Sequence, residues 1–220
     1  MIECTQRQEP VLSNKITGVY SMRKANNYAE ACAYVNKMYG EINEEQFENE
    51  LPPVVITIQS KPKSLGHFIP RKDVWSTPNG GTCEINISAE HIGDPIVEVA
   101  GTLLHEMVHF YNFLNNVKDC NSNGTYHNKH FRDAAVKHGL IVEKDATRGW
   151  ALTSPSEEFA QFIIKCGFKD IKIKRNSILP EKKAKSSARK YVCPVCGDSA
   201  RATKDVDFAC CKCHEKLILV

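Results

Sequence analysis

Between Asp94 and Asn115 the chain carries a nearly unbroken apolar run, with Ile96, Val97, Val99, Leu103, Leu104, Met107, Val108, Phe110, Tyr111, Phe113 and Leu114 falling on almost every side of a helix. Such a helix needs cover all round, so it is expected at the centre of a fold, with sheet on one side and helices on another. Asp94 reads as its cap and Pro95 as a first-turn residue. Among the polar side chains set into the run are His105, Glu106 and His109. Residues four apart share a helix face, so the two histidines can present imidazole nitrogens to one metal ion. Glu106 lies about 100° round from His105, placed to reach a water beside the metal rather than the metal itself. Two histidine ligands and a glutamate base on one helix is the arrangement of a zinc hydrolase. Without a metal, burial of two imidazoles and a carboxylate would be costly.

A catalytic zinc needs a third protein ligand and one open position. The residues themselves leave four candidates. His127 and His130 stand where a polar loop, Asn115 to Gly124, gives way to a further helix; Glu157 and Glu158 open a later one.

Around this centre the pattern predicts an α+β fold, helices packed on a small sheet. A first helix is expected over 16–40, with the acidic stretch Glu41 to Glu50 either ending it or starting a short second helix. Val54 to Ile58 is β-branched and strand-like, and Leu65 to Ile69 is expected to pair with it. Cys83 to Ser88 alternates as a strand with one buried face, after a turn at Pro78-Asn79-Gly80-Gly81. Helices follow from about Asn128 to His138, stopped at Gly139, and from the cap-like stretch Ser154-Pro155-Ser156-Glu157.

Composition excludes some classes and hides others. No stretch approaches the ~20 apolar residues of a membrane span, and the first residues lack a basic start followed by an apolar segment, so a cytoplasmic protein with no membrane partner is expected. The formal net charge of +3 conceals a division. Residues 1–164 carry a net −5, 165–190 a net +8, and the rest is neutral.

Five of the ten cysteines crowd into the last thirty residues. Cys193-Pro194-Val195-Cys196 and Cys210-Cys211-Lys212-Cys213 are two C-x₂-C knuckles, and four thiolates close a tetrahedral structural site. So small a module needs its metal to fold, which reads as a zinc ribbon over 191–220 with Cys211 as the spare thiol. The expected cofactors are therefore two Zn²⁺ ions, one catalytic and one structural. Ahead of the ribbon, a basic strap supplies Lys182, Lys183, Lys185, Arg189 and Lys190. With Tyr191 and Phe208 it could follow a phosphate backbone and stack on bases, or simply be a solubilising connector.

Ala100 to His109, followed by Gly124 to Phe131, resembles the SprT-like/Spartan family of zinc metallopeptidases, as do the Glu84 to Ser88 strand and the cysteine-rich tail. The resemblance implies a zincin-like core over 1–178, a linker over 179–190, zinc held by His105, His109 and His127, and Glu106 as catalytic base. It further implies an endopeptidase acting on proteins bound or crosslinked to DNA. The DNA partner is expected to be single-stranded or junction-containing, held by strap and ribbon. Two rivals stand beside it: a non-catalytic DNA-binding regulator, and a general or self-processing peptidase.

Overall fold

A computed structural model describes residues 25–176 and 188–220. The chain divides into two compact units between residues 177 and 178. The start of the expected first helix, residues 16–24, and the strap lysines Lys182, Lys183 and Lys185 lie outside the described residues.

In the first unit Asn27 caps helix α1 (Tyr28–Phe47), its side chain accepting from the Glu30 amide. One helix replaces the expected break: Gly40 is passed without interruption and the turn to Glu48 ends it. Strand β1 (Val55–Gln59) follows, then β2 (Gly66–Ile69), the hairpin β3 (Trp75–Thr77) and β4 (Gly80–Thr82), and β5 (Glu84–Ser88). The expected pairing of β1 with β2 does not form. β5 lies between them, parallel to β1 and antiparallel to β2, leaving β2 at an edge. The hairpin lengthens the return, and a parallel neighbour requires such a connection.

β5 also departs from its expected single buried face, since all five residues are buried. Ile85 and Ile87 join the core. The opposite face is polar but covered, and its oxygens are met by neighbours, although Asn86 Nδ2 has no hydrogen-bond partner. Glu84 accepts from Thr57 Oγ1 at 2.7 Å and from Trp75 Nε1 at 2.7 Å, and Asn86 Oδ1 accepts from the Gln59 amide at 2.7 Å.

The apolar run forms α2 (Ile96–Leu114), central as expected, with Leu103, Leu104, Met107 and Val108 wholly buried. Its cap differs from the expectation. Asp94 is engaged by His91 Nδ1 at 2.9 Å, and the Ile96 amide instead donates to Asp170 Oδ1 at 3.1 Å, from 74 residues away. Next come α3 (Lys129–Lys137), capped by Asn128, the hairpin β6 (Leu140–Asp145) and β7 (Gly149–Pro155), and α4 (Glu157–Lys165), capped by Ser156. Phe168 and Ile171 then return to the core, and the Lys172 amide bonds to the Ala25 carbonyl. No helix of the described residues is long and apolar enough to cross a membrane.

The second unit holds β8 (Arg189–Val192), β9 (Ser199–Ala202) and β10 (Ile218–Leu219), antiparallel in the order β10-β8-β9. Arg189 and Lys190, expected in a linker, are strand residues here. Among the described residues its buried centre is Tyr191, Cys193, Cys210 and Leu217.

Candidate metal centres

Two elements deliver three imidazoles to one point. His105 and His109 come from successive turns of α2, and His127 from the segment before α3. His127 Nε2 lies 3.2 Å from His105 Nε2 and 3.0 Å from His109 Nε2. The placement of His127 is enforced by its backbone: its amide donates to the Arg148 carbonyl at 2.9 Å and its carbonyl accepts from Trp150 at 3.0 Å. Between those residues Gly149 has φ +67, and a Cβ there would stand 2.3 Å from the His127 oxygen. The β6–β7 turn therefore fits around His127 only with glycine at 149.

Two of the imidazoles are oriented from behind. His109 Nδ1 lies 2.7 Å from Asp119 Oδ2, which also accepts from Asn112 Nδ2 at 3.0 Å. His105 Nδ1 lies 2.9 Å from Thr153 Oγ1 on β7. A carboxylate accepts only, so the His109 proton sits on Nδ1 and its Nε2 presents a lone pair. Where His127 carries its proton on Nδ1, its Nε2 lone pair faces that of His109 at 3.0 Å. A cation relieves that repulsion. Separations of 3.0 and 3.2 Å approach the ~3.3 Å edge of a tetrahedron with zinc–nitrogen bonds of about 2.0–2.1 Å. The donor set thus fits zinc. Phe131, fully buried, closes the floor with its ring centroid 4.5–4.6 Å from each imidazole.

Electrostatics agree. Burial, then the charge of neighbouring His109, pushes His105 well below the usual imidazole range and His127 down to about 4, so both are neutral donors near pH 7. Asp119 is pushed up by burial, but the His109 hydrogen bond and charge outweigh this and hold it low. Glu106 is buried, and desolvation pushes it up to about 7. Its Oε1 lies against Gly66 of β2, where a Cβ would approach it to 3.1 Å.

The SprT-like family model matches residues 35–144, half of the chain. The chain belongs to the SprT-like family. No curated protein and no solved structure matches it. Family and donor set together support a zinc-dependent protease in general terms.

The other candidates for a third ligand in this SprT-like chain lie away from the cluster. His130 is exposed on the first turn of α3; Glu157 and Glu158 are exposed on α4, with Glu157 accepting from Gln161. Asp119, Thr153 and Phe131 escaped the sequence reading. Asp119 lay in what read as a plain polar loop, although that loop is ten residues beyond His109 and carries few acids. Nothing in the sequence marked Thr153.

In the second unit the Cys193, Cys196, Cys210 and Cys213 sulfurs all lie within 4.8 Å of one another, consistent with a structural zinc in a ribbon-like motif. Both knuckles close alike: the Gly197 amide donates to the Cys193 carbonyl at 3.0 Å, and the His214 amide to the Cys210 carbonyl at 2.8 Å. Backbone amides of Cys213 and Lys212 bring the Cys210 thiol down to about 7, favouring thiolate. Cys211 is exposed and outside the cluster, as its place between the knuckle positions leads one to expect. Of the expected nucleic-acid residues, Arg189 is paired with Asp205 at 3.1 Å, while exposed Lys190 lies directly across from exposed Arg201.

Proposed function

We propose that this SprT-like chain is a zinc-dependent endopeptidase with a zincin-like core, that His105, His109 and His127 hold the catalytic zinc, and that its substrates are proteins bound or crosslinked to DNA. The observation that carries the enzymatic part is the convergence of three Nε2 atoms beside a buried carboxyl. When bound, zinc supplies Lewis-acid activation of water and of the peptide carbonyl. Glu106 is the general base: its carboxylate takes the water proton and returns it to the leaving amine. A group poised near pH 7 serves both halves of that task, and burial puts Glu106 there. Asp119 and Thr153 hold two imidazoles in the tautomer and orientation that offer Nε2. Phe131 keeps water from the floor.

A peptide substrate is supported by β2. Among the described residues it pairs only with β5, and Glu106 lies against its Gly66 and takes a hydrogen bond from the Phe68 backbone. An extended chain can add to such an edge by backbone hydrogen bonds. Nucleic-acid contact is supported by Lys190 and Arg201, like charges directly opposite on neighbouring strands, an arrangement that weakens a sheet unless an anion bridges it. Lys182, Lys183, Lys185 and Arg189 precede them in the sequence, adding basic charge suited to single-stranded or junction DNA.

The test is cleavage of a DNA-bound protein, with and without DNA, by the wild-type chain and by Glu106→Gln. DNA-stimulated cleavage abolished by the substitution is expected. Cleavage indifferent to DNA leaves a general peptidase, and DNA binding without cleavage in a zinc-loaded chain leaves a regulator.

A further inference from the structure

A groove of about 310 Å³ opens beside the N-terminal half of α2. Its floor is apolar, made by Leu65, Ile87 and Val99, and Leu65 is half exposed. Its rim is acidic, made by Asp94 and Glu98. The groove is continuous with the catalytic site: Thr102 lines its inner end, and a Cβ on Gly66 would meet both Thr102 at 3.0 Å and Glu106 Oε1 at 3.1 Å. Helical geometry puts the rim on the right face. Glu98 precedes His105 by seven residues, so it projects within about 20° of the same direction.

We propose that this groove binds a lysine or arginine side chain of the substrate, with Glu98 as the specificity-determining residue; the proposal rests on the proteolytic reading above. A long basic side chain has the two parts the groove offers places for, an apolar stem and a cationic end. Glu98 is exposed and its carboxylate makes no hydrogen bond or ion pair among the described residues, and Asp94 adds a second acid held by His91. Lys172, two residues past the capping Asp170, is drawn to Asp170 at 3.8 Å, while the stem of Lys174 packs against Gly93. The helix N-terminus by itself accounts for an acid in the first turn, but not for the apolar trough beside it. Along the helix axis Thr102 lies about 6 Å and Glu98 about 12 Å from Glu106. At about 3.3 Å per residue of an extended peptide, the basic residue sits two to four positions from the bond cut.

The test uses ten-residue fluorogenic peptides of one sequence in which a single lysine, norleucine or glutamate is moved from position to position. The zinc-loaded full chain is expected to cleave the lysine peptide about fivefold faster in kcat/KM than the norleucine peptide, at one position only. Glu98→Gln should make the two equal, and Glu98→Lys should favour glutamate. Binding of the same labelled peptides to Glu106→Gln, read by anisotropy, should show the same preference without turnover. Equal cleavage and equal binding of all three peptides overturns the groove assignment and leaves proteolysis standing. A lysine preference in binding that depends on Glu98, in a chain that cuts no peptide, upholds the groove and overturns the protease.

Discussion

Asp119 Oδ2 and His109 Nδ1 lie 2.7 Å apart, and the same oxygen accepts from Asn112 one turn further along α2. The loop after the helix thus fixes the ring of a residue on it. Asp119→Ala frees that ring and should weaken zinc binding about 10–100-fold, measured by competition with a chromogenic chelator. Asp119→Asn keeps an acceptor oxygen and should lose less.

Gly149 and Gly124 both have positive φ, but only Gly149 is crowded. Gly149→Ala drives a Cβ into the His127 carbonyl and should cost about 1–3 kcal/mol in urea unfolding while also weakening zinc binding. Gly124→Ala has nothing within 4 Å. It should show only the backbone strain, about 1 kcal/mol, with zinc affinity unchanged.

Without metal, the site makes stability depend on pH in two opposing ways. His105 and His127 have folded values below the unfolded imidazole value of 6.5, with His127 at about 4. The unfolded chain then binds more protons as pH falls, so their contribution is lost from about pH 6.5 down to about 4. Glu106 is raised from 4.5 to about 7. There the folded chain holds the extra proton, so its contribution is lost as pH rises from 4.5 to 7. Glu106→Gln removes the second effect. The metal-free variant should lose stability steadily on acidification, and the wild type should fall behind it by on the order of 2–3 kcal/mol between pH 4.5 and 7. A parallel pair of melting-temperature profiles would contradict this.

Among the described residues the second unit buries only Tyr191, Cys193, Cys210 and Leu217, two of them candidate zinc-ligand cysteines. Cys193→Ser should therefore unfold it, lowering bound zinc from two ions per chain to one by elemental analysis. The melting transition of the first unit should be unaffected.

The helices were legible where local signals agree. The helix start near Asn128, the cap-like stretch Ser154 to Glu157 and the stop at Gly139 stand in the sequence, and the fold places the caps within them at Asn128 and Ser156. The four spaced cysteines needed no tertiary information either. The sheet was less legible. β1 and β2 are close in sequence and looked like partners, but β5 arrives from fifteen residues further on and separates them. Its alternation of polar and apolar residues signalled one wet face; the polar face is instead covered, with Trp75 and Thr57 meeting Glu84. Asp119 and Thr153 were invisible for a related reason. A carboxylate in a loop and a hydroxyl on a strand become second neighbours of a metal site only once α2 lies between them.

Asp170 reaches back 74 residues to the first amide of α2. The helix that carries His105 and His109 is thus finished by residues translated long after it, and Arg175 adds a later tie to Ala89. A fragment trimmed to the family-matched span, 35–144, would lack that anchor along with Thr153 and Gly149. Its histidines would be present in the polypeptide and absent as a site. The shortest piece able to stand alone should end no earlier than about residue 176, and shorter expression fragments should emerge as insoluble or metal-free protein.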